Sequence, residues 1–408
     1  MSEIMTERIR HAEAIKPHPV EKAADEAEAP RGKQTRQWVT LRGGSMDVRI
    51  GPGVLGNLGR DLKTAVGRPH TCLLAATPET SPDLVEDLRR QITGSGFLVK
   101  IADLPSGPAC CTLDEASKLF SVLAQSGVTC DDLFCAIGDR YALSLASYVA
   151  GAWCGGMSLS QVPLDLAAAI EASVTPRNLD LPDAPRMVGN TGCARFCHAD
   201  LDLIGWETPS EETLLGRALM VATAVSETAK QFEGLWDRTD KMLEGDCDTF
   251  SKQLGETLKS RGKMAASTSV AIRQALGYCQ TFVHAMRPMV GDDVPESTLL
   301  AEGMRLSARL SYGMGDLSVD DILALDELLE RLGLGAMECD VDPDEMIEAL
   351  KAERFKRTNR FLLSIPKTLG RVRLTTVSDD LLAEHVGAWC DAHLPFDDED
   401  DDYEDDED

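Results

Sequence analysis

The run Leu113–Asp139, LDEASKLFSVLAQSGVTCDDLFCAIGD, decides how this chain is read. Its first half carries apolar residues at helical spacing (Leu113, Ala116, Leu119, Phe120, Leu123), with acids in the first turn. Ser126-Gly127 breaks that pattern. LFCAI, residues 133–137, is then a short unbroken apolar run, the mark of a strand covered on both faces. Gly138-Asp139 begins the turn after it. Helix, break, buried strand and glycine turn are the parts of a parallel sheet with helices on its faces.

The same alternation extends on both sides. Trp38–Leu41 and Met46–Ile50 read as a hairpin around Gly43-Gly44. Leu55–Val66 has helical spacing. TCLLAA at 71–76 and FLVKI at 97–101 read as strands, with a helix at 83–95 between them. After about Glu207 the strand signal stops. Leu214–Glu233, Phe250–Lys259, Ser269–Met286, Ser297–Met314, Val319–Leu332 and Pro343–Arg354 are predicted helices. Ser318 and Asp342 stand as caps before first-turn acids. Arg360–Ile365 and Val372–Val377 read as a late β-pair.

The fold class is therefore α/β followed by α. A parallel-sheet, nucleotide-binding-like domain spans 37–206, and a mainly helical domain spans 207–394. Residues 1–36 are charged and poor in large apolar side chains, and 395–408 are almost entirely acidic. Neither can bury enough surface to offset its ordering entropy, so both are expected to be disordered.

Composition narrows the partners. The 408 residues are 43% apolar, enough for two cores, and the net charge is −27. Eleven acids fall in 397–408, but the remainder is acidic too. Such a surface repels nucleic acid and anionic membrane. Twelve cysteines are scattered, and no apolar leader segment or membrane-length run accompanies them. Reduced thiols in a cytoplasm are the expectation. Cys193 and Cys197, four apart and followed by His198, would share one face of a helix. No second ligand pair follows at zinc-finger distance, so chance clustering is the favoured reading.

Several segments, in consistent order from about residue 38 to 390, carry a resemblance. They are VRIGPGVLGNLGRDLK (48–63), GFLVKIADLPSG (96–107), the opening run at 113–139, GGMSLSQVPLDLAAAIEASV (155–174), IRQALGYCQTFVHAM (272–286), LLAEGMRLSARLSYGMGDLSVDD (299–321) and RFLLSIPKTLGRV (360–372). Together they resemble 3-dehydroquinate synthase. That resemblance implies a chemistry: NAD oxidises a hydroxyl of a seven-carbon phosphorylated keto acid, a zinc ion polarises the oxygen, and basic residues hold phosphate and carboxylate.

Carried over residue by residue, the resemblance assigns candidates and losses. The dinucleotide positions fall on Gly138, Asp139 and Gly107. One glycine remains of the three that let a backbone approach pyrophosphate, and Asp139 sets a carboxylate there beside Arg140. The ribose-binding acid becomes Thr77. The metal positions fall on Glu227, Gln280 and Glu296, with an alternative register placing Leu219 where Glu227 is set. This set offers oxygens and an amide and suits Mg²⁺ or Mn²⁺ better than zinc. Substrate-holding positions fall on Lys230, Lys259, Arg273, His284, Arg177 and Glu171. Other positions are lost: an acid becomes Ser144, a phosphate-binding Arg becomes Gly155 and an Asn becomes Gly277.

Three functions follow as expectations. The first is a synthase-like protein with lost or strongly impaired activity, which binds a phosphorylated small molecule and forms a homodimer. The second is an active enzyme of altered metal and substrate, a sugar-phosphate cyclase or polyol dehydrogenase. The third is a non-catalytic scaffold acting through its charged ends.

Overall fold

A computed structural model describes residues 9–11, 32–66, 68 and 70–395. In chain order the first half holds β1 (Ile9–His11), β2 (Thr35–Leu41), β3 (Gly44–Gly51), α1 (Leu58–Val66), β4 (Thr71–Ala76), α2 (Pro82–Gly94), β5 (Leu98–Asp103), α3 (Leu113–Gln125), β6 (Leu133–Gly138), α4 (Arg140–Ala152), β7 (Ser158–Pro163), α5 (Leu166–Val174), β8 (Leu179–Leu181), β9 (Ala184–Val188) and β10 (Phe196–Asp200). The second half holds α6 (Glu211–Glu227), α7 (Ala229–Leu243), α8 (Cys247–Ala266), α9 (Val270–Gln274), α10 (Gln280–Val290), α11 (Glu296–Gly313), α12 (Val319–Arg331), α13 (Pro343–Phe355), β11 (Leu363–Thr368), β12 (Arg371–Thr375) and α14 (Asp379–Asp391).

Eight strands form one sheet in the order β1-β5-β4-β6-β7-β10-β3-β2. From β5 to β3 every neighbour runs parallel, and β1 and β2 close the two edges antiparallel. The strand period of two divides the core. Cys72 and Leu74 of β4, with Leu133, Cys135 and Ile137 of β6, face α1 and α2. Leu73, Ala75, Phe134 and Ala136 face the other way, into the larger core shared with the helical half.

Part of the predicted arm is ordered: Ile9–His11 pairs with β5, and Thr35 and Arg36 belong to β2. Most of the remaining arm, and the tail from 396 onward, lie outside the described residues. Cys193 and Cys197 do not share a helix. Cys193 precedes β10 and Cys197 lies within it, between β3 and β7, so their side chains follow a strand's geometry.

Two predicted helices are broken. The pattern Leu214–Glu233 divides at Thr228, because the β11–β12 turn presses on the junction. Gly370 has φ 104° and its N–H donates to the Val225 carbonyl. A Cβ at Gly370 would lie 2.0 Å from the Ala229 nitrogen, so the close approach requires glycine. The pattern Ser269–Met286 divides at Cys279, which sits in the left-handed region (φ 66°) and starts α10 afresh. That break aims Gln280 and His284 into the cleft described next.

Candidate functional site

Strand order reverses between β4 and β6: β5 lies on one side of β4, and β6 on the other. Their carboxyl ends form the crevice where open α/β sheets bind ligands. Thr77 follows β4, and Gly138 ends β6. A Cβ on Gly138 would lie 2.5 Å from Thr77 Cγ2, so this glycine lets two strand ends pack. Asp139 caps α4. Its Oδ1 accepts from the N–H groups of Tyr141 (2.9 Å) and Ala142 (2.7 Å), and its Oδ2 accepts from Gly107 N–H at 2.7 Å. Sequence reading set Gly107, Gly138 and Asp139 in one site, and the structure brings Gly107 and Asp139 into contact.

That contact decides the fit to a dinucleotide. A helix N-terminus attracts anions through its free N–H groups and its dipole. Here a carboxylate of the chain occupies those donors. A pyrophosphate would have to displace it or sit beside a like charge, so these residues do not fit one.

The metal candidates separate. Glu227 ends α6 and is held by Lys263 Nζ at 2.6 Å and Thr228 Oγ1 at 3.0 Å. It lines a cavity of about 770 Å³ that also receives Lys259, Trp38 and Arg371. Gln280 and Glu296 line the inter-domain cleft instead. Leu219 of α6, from the alternative register, lines the cleft together with Gln280, and Glu227 does not. Glu296 is itself taken: Arg140 donates to its Oε1 (3.2 Å) and Oε2 (2.5 Å), and to Glu171 Oε2 (3.1 Å). Among the described residues no group of three or more His, Cys, Asp or Glu could hold a metal ion. The side chains do not fit the zinc or hard-metal set that the resemblance implies.

Of the substrate candidates, Glu171, Arg177, Arg273 and His284 converge on one cavity of about 510 Å³. Lys230 is exposed on α7, and Lys259 points into the other cavity, so neither joins them. The convergent cavity is rich in arginine. Arg186, Arg261, Arg354 and Arg357 line it beside Arg177 and Arg273, opposed by Glu171 and Glu353. Sequence reading missed these four because they come from a hairpin, a long helix and the end of α13, with no shared motif.

Arg261 is the deepest of them, at 4% exposure. Its Nη1 and Nη2 donate to Thr223 Oγ1 (3.2 Å) and Thr175 Oγ1 (2.6 Å), and its Nε has no partner. Among the described residues it has no ion pair. Burial pulls it down to about 10, partly countered by Glu171. The Nε atoms of Arg186 and Arg354 are also buried and unpartnered. Burying cations without anions is costly unless a ligand supplies them.

His284 stands at the cavity wall, its Nδ1 3.4 Å from Glu353 Oε1. Burial pushes it down to about 4 although Glu353 pulls upward, so it is neutral at pH 7. Burial would raise Glu353, but its bond to His284 and its pairing with Lys356 hold it at about 2. The cleft therefore presents a neutral imidazole inside a field of guanidinium groups.

With this geometry, comparison with known proteins is informative. The model of the 3-dehydroquinate synthase N-terminal family matches residues 101–211. A 3-dehydroquinate synthase of Xanthomonas campestris pv. campestris is 25% identical over 345 residues, 82% of this chain and 92% of the relative. One from Rhodopirellula baltica is 22% identical over 323 residues, covering 77% and 85%. Two solved structures share the fold over 86% of this chain and 99% of their own. ValA, a 2-epi-5-epi-valiolone synthase from Streptomyces hygroscopicus subsp. jinggangensis with NAD⁺ and Zn²⁺ bound, has TM-score 0.73 at 14% identity. 2-Deoxy-scyllo-inosose synthase, complexed with carbaglucose-6-phosphate, NAD⁺ and Co²⁺, has TM-score 0.71 at 16% identity. The family-model match over residues 101–211, the relatives aligned over about four-fifths of its length and the shared architecture make this chain similar to the 3-dehydroquinate synthases in sequence and in fold.

Proposed function

We propose that this protein no longer performs the nicotinamide- and metal-dependent cyclisation of its relatives, and that its inter-domain cleft binds a small, multiply anionic ligand, a phosphorylated acid being the class that fits best. The observation that carries the first half is the Asp139 carboxylate seated on the α4 N-terminus and the Gly107 N–H. The second half rests on the arginines of the cleft, with Arg261 buried and unpaired. A guanidinium recognises phosphate and carboxylate alike through its planar fork.

Thermal denaturation tests both halves, because a ligand that binds only the folded state raises the melting temperature. NAD⁺ at millimolar concentration, with or without Zn²⁺, is expected to leave it unmoved, while a phosphorylated hydroxy acid such as 3-phosphoglycerate raises it. Arg261→Gln should weaken the 3-phosphoglycerate effect by roughly 10- to 100-fold in affinity, the value of a hydrogen-bonded charge. Zinc-dependent turnover of the 3-dehydroquinate synthase substrate would end this reading.

The His284–Glu353 pair supports a second reading, in which the cleft retains acid–base chemistry on its bound anion. A neutral imidazole oriented by a carboxylate accepts a proton, weakly here because burial holds His284 at about 4. Solvent deuterium entering a bound 2-oxo acid in the wild type, and not in His284→Gln, would favour this reading over binding alone.

A further inference from the structure

Arg140 is the most heavily engaged cation in the cleft. It is the first residue of α4, immediately after the cap that Asp139 forms. Its Nη1 lies 3.1 Å from Glu171 Oε2 and 3.2 Å from Glu296 Oε1, and its Nη2 lies 2.5 Å from Glu296 Oε2. Nη2 also lies 2.5 Å from the Tyr141 hydroxyl. The side chains of Arg140, Glu171 and Glu296 are 14%, 19% and 25% exposed. The two carboxylates come from different halves of the molecule, α5 of the sheet domain and α11 of the helical one.

Two carboxylates brought to one point, largely out of water, repel each other unless a cation sits between them. Burial opposes ionisation of Glu296, and Arg140, followed by His284 and Arg186, more than offsets it. In the two structural neighbours that hold NAD⁺, a divalent ion is also bound. Here a single guanidinium nitrogen stands about equally far from both carboxylates. A hard divalent ion at that point would need to draw the oxygens in by only about 1 Å, since such ions take oxygen ligands at roughly 2.0–2.6 Å.

We propose that Arg140 is a resident cation, built into the chain where a divalent metal ion would otherwise bridge Glu171 and Glu296. It holds the two carboxylates close against their mutual repulsion, and it joins the two halves of the cleft with no added ion. The inference goes beyond the ligand reading above and does not depend on it: it concerns what holds the cleft, not what enters it.

The experiment is a titration of purified full-length protein with Mn²⁺, followed by calorimetry and by the electron paramagnetic resonance of the free ion. The wild type is expected to show no binding in this cleft. Arg140→Ala, its fold checked by circular dichroism, should bind Mn²⁺ at least tenfold more tightly. Adding Glu296→Gln to that variant should remove the gain. If folded R140A binds no better than the wild type, the carboxylates are not a masked metal site and the proposal fails. It also fails if the wild type binds Mn²⁺ and E296Q alone abolishes that binding, because the arginine would then yield to the metal rather than replace it. Should R140A be unfolded, Mn²⁺ must restore its circular dichroism at millimolar concentration, and lack of rescue overturns the proposal.

Discussion

Single residues settle the chemistry of this cleft. Asp139 was legible in the sequence as a carboxylate in a glycine turn, because the strand before it is short and unambiguous. That it caps α4 and takes the Gly107 N–H was not legible. Nor was the role of Arg140: nothing local says that its side chain crosses to α11. Glu227 was misassigned for a physical reason. A Glu-x-x-Lys spacing recurs by chance on charged helices, and Leu219, the α6 residue that lines the cleft with Gln280, carries no polar signal. Asp139→Asn tests the anion argument, since asparagine still caps a helix but removes the charge. We expect the melting temperature to change little and ADP, silent with the wild type, to produce a measurable rise. Asp139→Ala should cost about 1 kcal/mol of stability as well, from loss of the cap.

Elements brought these residues together, and here the sequence told less. Helical spacing located α10 and α11 but not the restart at Cys279, which depends on a left-handed residue packed against Gly303. That restart places His284 beside Glu353 of α13, two elements apart. The burial of His284 there has a pH signature. His284 falls from 6.5 to about 4 in the folded state, so the unfolded chain takes up its proton first as pH drops. Stability supplied by the neutral imidazole is present above 6.5 and is lost as pH falls from there to about 4. Glu353, lowered from 4.5 to about 2, continues the loss in the same direction below that window. Melting temperature should decline between pH 6.5 and 4, and His284→Gln should flatten the upper part of that decline. An unchanged slope in the variant would assign the effect to other groups.

At the scale of the whole molecule, the alternation of strands and helices gave the α/β-then-α order directly. The position of the β2–β3 pair beyond β10, and of β1 on β5, could not be read, because strand order is set by long-range packing and not by local pattern. Nor could the charge layout. A chain of net charge −27 surrounds a cleft lined by six arginines. The outer field opposes the approach of the anions that the inner one is proposed to hold. Salt screens the first over about 10 Å at 0.1 M, while groups out of water are screened far less. Stopped-flow binding of 3-phosphoglycerate should therefore show an association rate that rises as salt is raised from low values, the reverse of an attractively steered encounter. A rate that falls with salt would mean that the arginine field reaches beyond the cleft mouth.

The bridge from Arg140 to Glu171 and Glu296 has one more consequence. A cation carried on a side chain is delivered with the polypeptide itself, at a fixed stoichiometry of one. It cannot be stripped by a chelator, exchanged for a competing ion or starved by the growth medium. Dialysis against EDTA, which dismantles clefts held by bound ions, will leave this one standing.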